Sequence, residues 1–201
     1  MRLRQLEMEL QKVVGFSNPS VDAEQYTTTP TIAARLLYHA AISNDISNKI
    51  VCDLGCGTGM LSSGAALLGA KKVIAIDFDS NAIQIAKNNV NLFNIDTITF
   101  IEADVRDLNI DIKADTVVMN PPFGAQHKHA DRPFIDAAIK IAPVCYGIFN
   151  AGSSEFVRSY TNGKITIDGI ISAQMSIPKQ FSFHTHDVQE IPVDILYMKR
   201  I

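Results

Sequence analysis

The sequence predicts an α/β fold: a doubly wound, mostly parallel seven-stranded sheet closed by an antiparallel C-terminal strand pair. Three observations predict it. Up to Asn150, short apolar runs alternate with segments of helical spacing, the pattern of parallel strands joined by crossover helices. A glycine-rich turn, "DLGCGTG" at 53–59, separates the first of those runs from a small-residue helix. The tail carries two consecutive strand-like stretches, "KITIDGIISAQMSI" and "DVQEIPVDILYMKR", with no helix between them, as an antiparallel pair requires.

Taken in order, "MRLRQLEMELQKVVGF" alternates charge with Leu and Met at helical spacing, which makes it an amphipathic helix rather than a signal peptide. "FSNPSVDAEQYTTTP" (16–30) is rich in Ser, Thr, Asn and Pro and reads as an ordered loop. Pro30 then starts the helix "TIAARLLYHAAI". "KIVCDLG" is a short buried strand, followed by the glycine turn and the helix "MLSSGAALLGA". "KKVIAID" is the second strand, and Asn81 to Phe93 forms a helix with Ile83, Ile85, Ala86, Val90 and Phe93 apolar. "TITFIEAD", "ADTVVMN" and "VCYGIFN" are three further strands, with helical "RPFIDAAIKIA" between the last two. "PKQFSFHTH" joins the strands of the tail.

At 201 residues, 47% hydrophobic and 19% charged, the chain is expected to form one globular domain spanning residues 1–201. Its apolar runs are too short to cross a bilayer. Three cysteines supply neither an even disulfide set nor paired zinc ligands, which points to a reducing cytoplasm. A net charge of −3 argues against a broad electrostatic footprint for nucleic acid, so any such contact is local or supplied by a partner.

Gly55, Gly57 and Gly59 are spaced GxGxG, and a nicotinamide site would want GxGxxG where position 60 is Met. A bare glycine turn is common between strand and helix, so the acids downstream decide. Asp77 ends "VIAID" about 20 residues past the loop, where a carboxylate accepts from both ribose hydroxyls. Asp104 ends "TITFIEAD", placed to accept from an adenine amino group. Ribose, adenine and a close-approach loop without pyrophosphate geometry point to S-adenosylmethionine as the cofactor. Asp53 opens the loop near the donor's methionine portion, although a strand-end Asp also ties down its own turn.

"VVMNPPFG" (117–124) places Asn120 at the end of the fourth strand, beside the donor. An exocyclic amino group is a poor nucleophile because its lone pair is delocalised. Donating both hydrogens, to the Asn120 side-chain oxygen and the Pro121 carbonyl, frees that lone pair, and the two dipoles stabilise the charge developing on nitrogen. Pro121 and Pro122 fix φ and remove backbone donors. Phe123 offers a stacking face for a flipped base, and Gly124 leaves room for the ring. The same turn could instead be a rigid strand exit with a core phenylalanine.

"DLGCGTG", "AIDFD" and "NPPF" in this order resemble class I S-adenosylmethionine-dependent amino methyltransferases of Rossmann-like fold. "EQYTTTPTIAARLLYHA" (24–40) and "VVMNPPFG" are more specifically similar to the methyltransferase-like protein 5 family and its archaeal relatives, over essentially the whole chain. The resemblance implies a donor-closing loop within about residues 1–45, with Gln25, Tyr26 and Thr29 on the donor. The triple threonine departs from the family's Tyr-Pro-Thr. It also implies methylation of adenosine N6 in small-subunit ribosomal RNA, and a small zinc-binding activator protein docking at a sheet edge.

The loop "GAQHKHADRPF" (124–134) brings His127, Lys128, His129 and Arg132 beside the acceptor pocket, with Lys128 the substrate contact. Two histidines without a third ligand make no metal site. The edge strand "TITFI" is a candidate docking site for the activator. Methylation of a glutamine amide or another base amino group uses the same NPPF chemistry, and a catalytically silent scaffold uses only the fold.

Overall fold

The computed structural model describes residues 1–16, 19–20, 24–108, 111–124, 126–178 and 188–201. Seven strands form one sheet: β1 (Ile50–Leu54), β2 (Lys72–Asp77), β3 (Ile98–Glu102), β4 (Thr116–Met119), β5 (Val144–Asn150), β6 (Ile165–Pro178) and β7 (Val188–Arg200). Their order is β3-β2-β1-β4-β5-β7-β6. The first five run parallel, while β7 pairs antiparallel with β5 and with β6. The predicted sheet and its antiparallel closing pair are both present, and the segment 179–187 that joins the pair lies outside the described residues.

Strands near the middle carry continuous apolar runs because both faces are covered, and residue parity assigns each side chain to a face. Val51, Val73, Val118, Tyr146, Ile148, Val193 and Ile195 meet one core cluster with the helices α1 (Leu3–Leu10), α2 (Pro30–Ile42) and α3 (Met60–Leu67). Cys52, Leu54, Ile76, Val117, Met119, Leu196 and Met198 meet the other, with α5 (Arg132–Ile141) and α6 (Ser154–Tyr160). Between β2 and β3 runs α4 (Ser80–Asn91), whose N-cap Asp79 accepts from the Asn81 N–H at 2.9 Å. Cys52, Cys56 and Cys145 are buried and free, and burial pushes their thiols up.

Two elements differ from the sequence reading. The N-terminal helix ends at Leu10, because the next stretch is pinned elsewhere: the Val14 N–H donates to Asn89 Oδ1 and Asn89 Nδ2 donates to the Val14 carbonyl, both at 2.9 Å. α6 was not foreseen. It has seven residues, too few for a clear period, and packs Val157, Phe156 and Tyr160 against the second cluster.

The strand order reverses between β1 and β4, whose connections run to opposite sides of the sheet, β1's to β2 and β4's to β5. A crevice opens at such a switch point, and the loops after β1, β2, β3 and β4 deliver their side chains to it. β3 stands at one edge of the sheet and β6 at the other.

Candidate active site

At that crevice lies a cleft of about 610 Å³, within the usual range for a small-molecule site. Its walls are the segment 24–28, the glycine loop, the ends of β2, β3 and β4, and the 127–130 loop.

The glycine loop needs its glycines for two reasons. Gly55 and Gly57 have φ of +69° and +52°, a region that disfavours other side chains. They also sit under aromatic rings, since a Cβ on Gly55 would lie 2.8 Å from Phe134 and one on Gly57 3.0 Å from Phe16. Asn89 Nδ2 holds the loop's far side by donating to the Thr58 carbonyl at 2.8 Å.

Asp77 fastens the loop to β2. Its Oδ2 accepts from the Gly57 N–H at 2.7 Å and its Oδ1 from the Asp79 N–H at 3.0 Å. At 7% exposure, burial raises its pKa against the lowering effect of those two donors. Asp104 is more open. It accepts from the Arg106 N–H at 2.8 Å, capping a 3-10 turn at Val105–Asp107, and from Arg106 Nε at 2.9 Å, and that guanidinium holds its carboxyl below the usual range.

Asn120 directly follows β4 on the cleft wall. Its Nδ2 donates to Thr28 Oγ1 at 2.9 Å, and its Oδ1 has no hydrogen-bond partner among the described residues. A buried amide oxygen without a donor is costly, so it marks a place where a ligand N–H belongs. Gln25 reaches the opposite wall: its Nε2 donates to Asp79 Oδ2 at 2.7 Å while its Oε1 accepts from the Ser20 N–H at 2.8 Å.

Of the residues singled out in the sequence, Gln25, Tyr26, Gly55, Gly57, Asp77, Asp104, Asn120, Pro122 and Lys128 come together on this cleft. Others do not line it. Thr29 is the N-cap residue of α2, and the neighbouring Thr28 takes the place beside Asn120. Tyr-x-Thr counted from Tyr26 falls on Thr28, a signal the triple threonine hid. Pro121 is buried in the turn. Phe123 packs its ring against the first core cluster and its carbonyl accepts from Asn150 Nδ2 at 3.4 Å, while Gly124 lies behind it. Arg132 turns away from the cleft onto α6, its guanidinium 5.6 Å from the Phe156 ring centre and 5.1 Å from that of Tyr160. Three lining rings escaped the sequence reading, Phe16 over Gly57 among them. Phe78, next to Asp77, is 58% exposed, and Phe134 stands over Gly55.

Asp53 lies beneath the loop at 0% exposure, and its Oδ2 accepts from Ser62 Oγ at 2.6 Å. Burial raises its pKa to about 7, against an unfolded value near 3.9. Between those values the folded chain keeps a proton that the unfolded chain has released, so this group lowers stability as pH rises from about 4 to about 7. Asp53→Asn should remove that fall. Urea unfolding at about pH 5 and about pH 8 should show the variant gaining on the parent at the higher pH.

The residues fit an adenosyl donor. A carboxylate, a close-approach glycine loop, an exposed ring and an asparagine whose amide oxygen is unpaired among the described residues line one cleft of suitable size. Comparison with known proteins agrees. The family model described as methyltransferase small domain matches residues 16–143. The chain is 37% identical to the rRNA N(6)-adenosine-methyltransferase METTL5 of Danio rerio, with 98% of each chain covered. It is 40% identical to the uncharacterized protein MJ0284 of Methanocaldococcus jannaschii, covering 98% of this chain and 94% of that one. The crystal structure of PH1948 from Pyrococcus horikoshii superposes with a TM-score of 0.93 at 38% identity, covering 100% of this chain and 98% of that one. The chain therefore belongs to the methyltransferase small domain family, and within it to the METTL5-like proteins.

Proposed function

We propose that this protein transfers a methyl group from S-adenosylmethionine to the exocyclic N6 of an adenosine in ribosomal RNA, the small-subunit RNA in particular. The observation that carries the reading is Asn120: an amide oxygen without a partner, fixed by Thr28, on a cleft that also holds Asp77 and the glycine loop. One domain spanning residues 1–201 carries the reaction.

In this reading Asp77 holds the donor's ribose, Asp104 its adenine amino group and Phe78 stacks on the ring, while Gln25, Tyr26 and Thr28 close over it. Bound there, the donor supplies an electrophilic sulfonium methyl. The protein's task is to make a weak nucleophile competent. Asn120 Oδ1 and the Pro121 carbonyl accept the two amine hydrogens of the target adenosine, which turns the nitrogen lone pair outward. The same two oxygens stabilise positive charge as it develops on nitrogen, with no strong base needed. Pro122 on the cleft wall supports the flipped base, with Phe123 packed behind it to fix the turn, and Lys128 offers a local charge to the RNA backbone. A chain of net charge −3 needs such local contacts.

Thr28→Val keeps the side chain's shape and removes the acceptor for Asn120 Nδ2. It should lower kcat by about tenfold, the cost of one misplaced transition-state hydrogen bond, measured under donor saturation.

The edge strand β3, with Ile98 and Ile101 half-buried, is where a small zinc-binding activator would add a strand. Among the described residues no helix is long and apolar enough to cross a membrane, and three free buried thiols suit a cytoplasmic location. The test of the whole reading is to incubate the protein, with and without co-purified partners, with methyl-labelled donor and ribosomal subunits. Label in N6-methyladenosine of the small-subunit RNA is the expected result. Label in protein or in cytosine would refute it.

A further inference from the structure

We propose that Glu24 is a positioning residue that couples donor binding to formation of the acceptor loop. The proposal rests on the reading of the cleft as a site for methylating adenosine.

Glu24 is 7% exposed, and its two carboxylate oxygens take separate backbone donors from the segment that follows NPPF. Oε2 accepts from the Gly124 N–H at 3.1 Å and Oε1 from the Gln126 N–H at 2.8 Å. Hydrogen bonds to an ionised acceptor are stronger than neutral ones, and these two fix the backbone immediately after Phe123. The sequence distance is about 100 residues, so no local turn requires the contact.

The backbone of Glu24 supports the assignment. Its φ is +48°, in the left-handed region, where the other non-glycine residues of the described chain are four Asn and one His. Those types tolerate the region, and Glu does not share their short side chain. Such a conformation persists only when surrounding contacts hold it, and it concentrates at functional positions.

The neighbours of Glu24 make the coupling. Gln25 spans to Asp79 beside the ribose-side carboxylate, and Thr28 accepts from Asn120. Within five residues, one segment therefore binds the β2 turn, the catalytic amide and the acceptor loop. Whatever orders Gln25 and Thr28 also sets Glu24, and through it the backbone at Gly124 and Gln126. By linkage the effect is reciprocal: the donor tightens RNA binding by the factor by which RNA tightens donor binding.

The experiment uses the full chain and reads amide hydrogen exchange at Gly124 and Gln126, with and without S-adenosylhomocysteine, in the parent and in Glu24→Gln and Glu24→Asp. The first variant replaces one accepting oxygen with an amide group that cannot accept, and the second keeps the charge one methylene short. In the parent, both amides should be protected and slow by about tenfold more when the product binds. In both variants exchange there should be about tenfold faster and indifferent to the product, with S-adenosylhomocysteine affinity within about threefold of the parent. The RNA KM at saturating donor should rise by about tenfold, and by the same linkage the donor KM at saturating RNA should rise with it, while product affinity without RNA holds. Parent-like exchange at both positions in either variant overturns the proposal. So does faster exchange spread over α2 and the central strands, which would make Glu24 a general stabiliser. Failure of the parent to methylate adenosine counts against the functional reading alone, because the exchange measurement needs no acceptor.

Discussion

Asn120→Ala should lower turnover by on the order of a hundredfold or more while leaving donor affinity within about threefold. The side-chain oxygen has no partner among the described residues, and in the proposed mechanism it acts only when an amine hydrogen reaches it. Its removal therefore acts on the step in which nitrogen gains positive charge. The effect on packing should be small, since among the described residues the amide gives one hydrogen bond, to Thr28. Single-turnover rates at saturating donor and RNA read the loss, and titration with S-adenosylhomocysteine reads the donor site. Asn120→Asp is the more informative companion. It keeps the acceptor but exchanges the N–H2 that holds Thr28 for a carboxylate, so positioning and charge fail together.

Asp77→Ala should weaken S-adenosylhomocysteine binding by about a hundredfold, read by isothermal titration. Two effects add. The ribose loses its acceptor, and the Gly57 and Asp79 N–H groups lose theirs, which releases the glycine loop from β2. Asp77→Asn separates the two effects, because an amide oxygen still satisfies one loop N–H. Its affinity should fall between those of the parent and the alanine variant. Donor affinity in Asp77→Ala within about threefold of the parent would remove Asp77 from the donor site.

Residues close in sequence made much of the fold legible. The runs around Cys52, Ile74, Val117 and Tyr146 are apolar on both faces, which only a covered parallel strand needs, and the helices between them carry their own period. The tail showed its antiparallel pair because no helical segment intervenes. What failed was set by contacts far along the chain. The first helix stops at Leu10 because Asn89 claims the backbone of Val14. α6 is too short to show a period beside the strands that flank it.

The site divides the same way. Asp77, Asp104 and Asn120, which share the cleft, could be singled out because each stands at or just past the end of an apolar strand, where a polar side chain stands out. Thr28 was missed in favour of Thr29 because three identical residues differ only in where the chain turns. Glu24 gave no signal at all, since its partners are backbone groups about 100 positions away. Among the aromatics, sequence order favoured Phe123, next to the prolines. Packing instead gives the cleft Phe16, Phe78 and Phe134, which come from the segment after α1, the β2 turn and α5.

The most direct measurement is a crystal structure of the full chain with S-adenosylhomocysteine. The account predicts the ribose hydroxyls within hydrogen-bonding distance of Asp77 and the sulfur opening toward Asn120 Oδ1. A product molecule bound outside this cleft, or seated in it with its sulfur turned away from the NPPF segment, would contradict it.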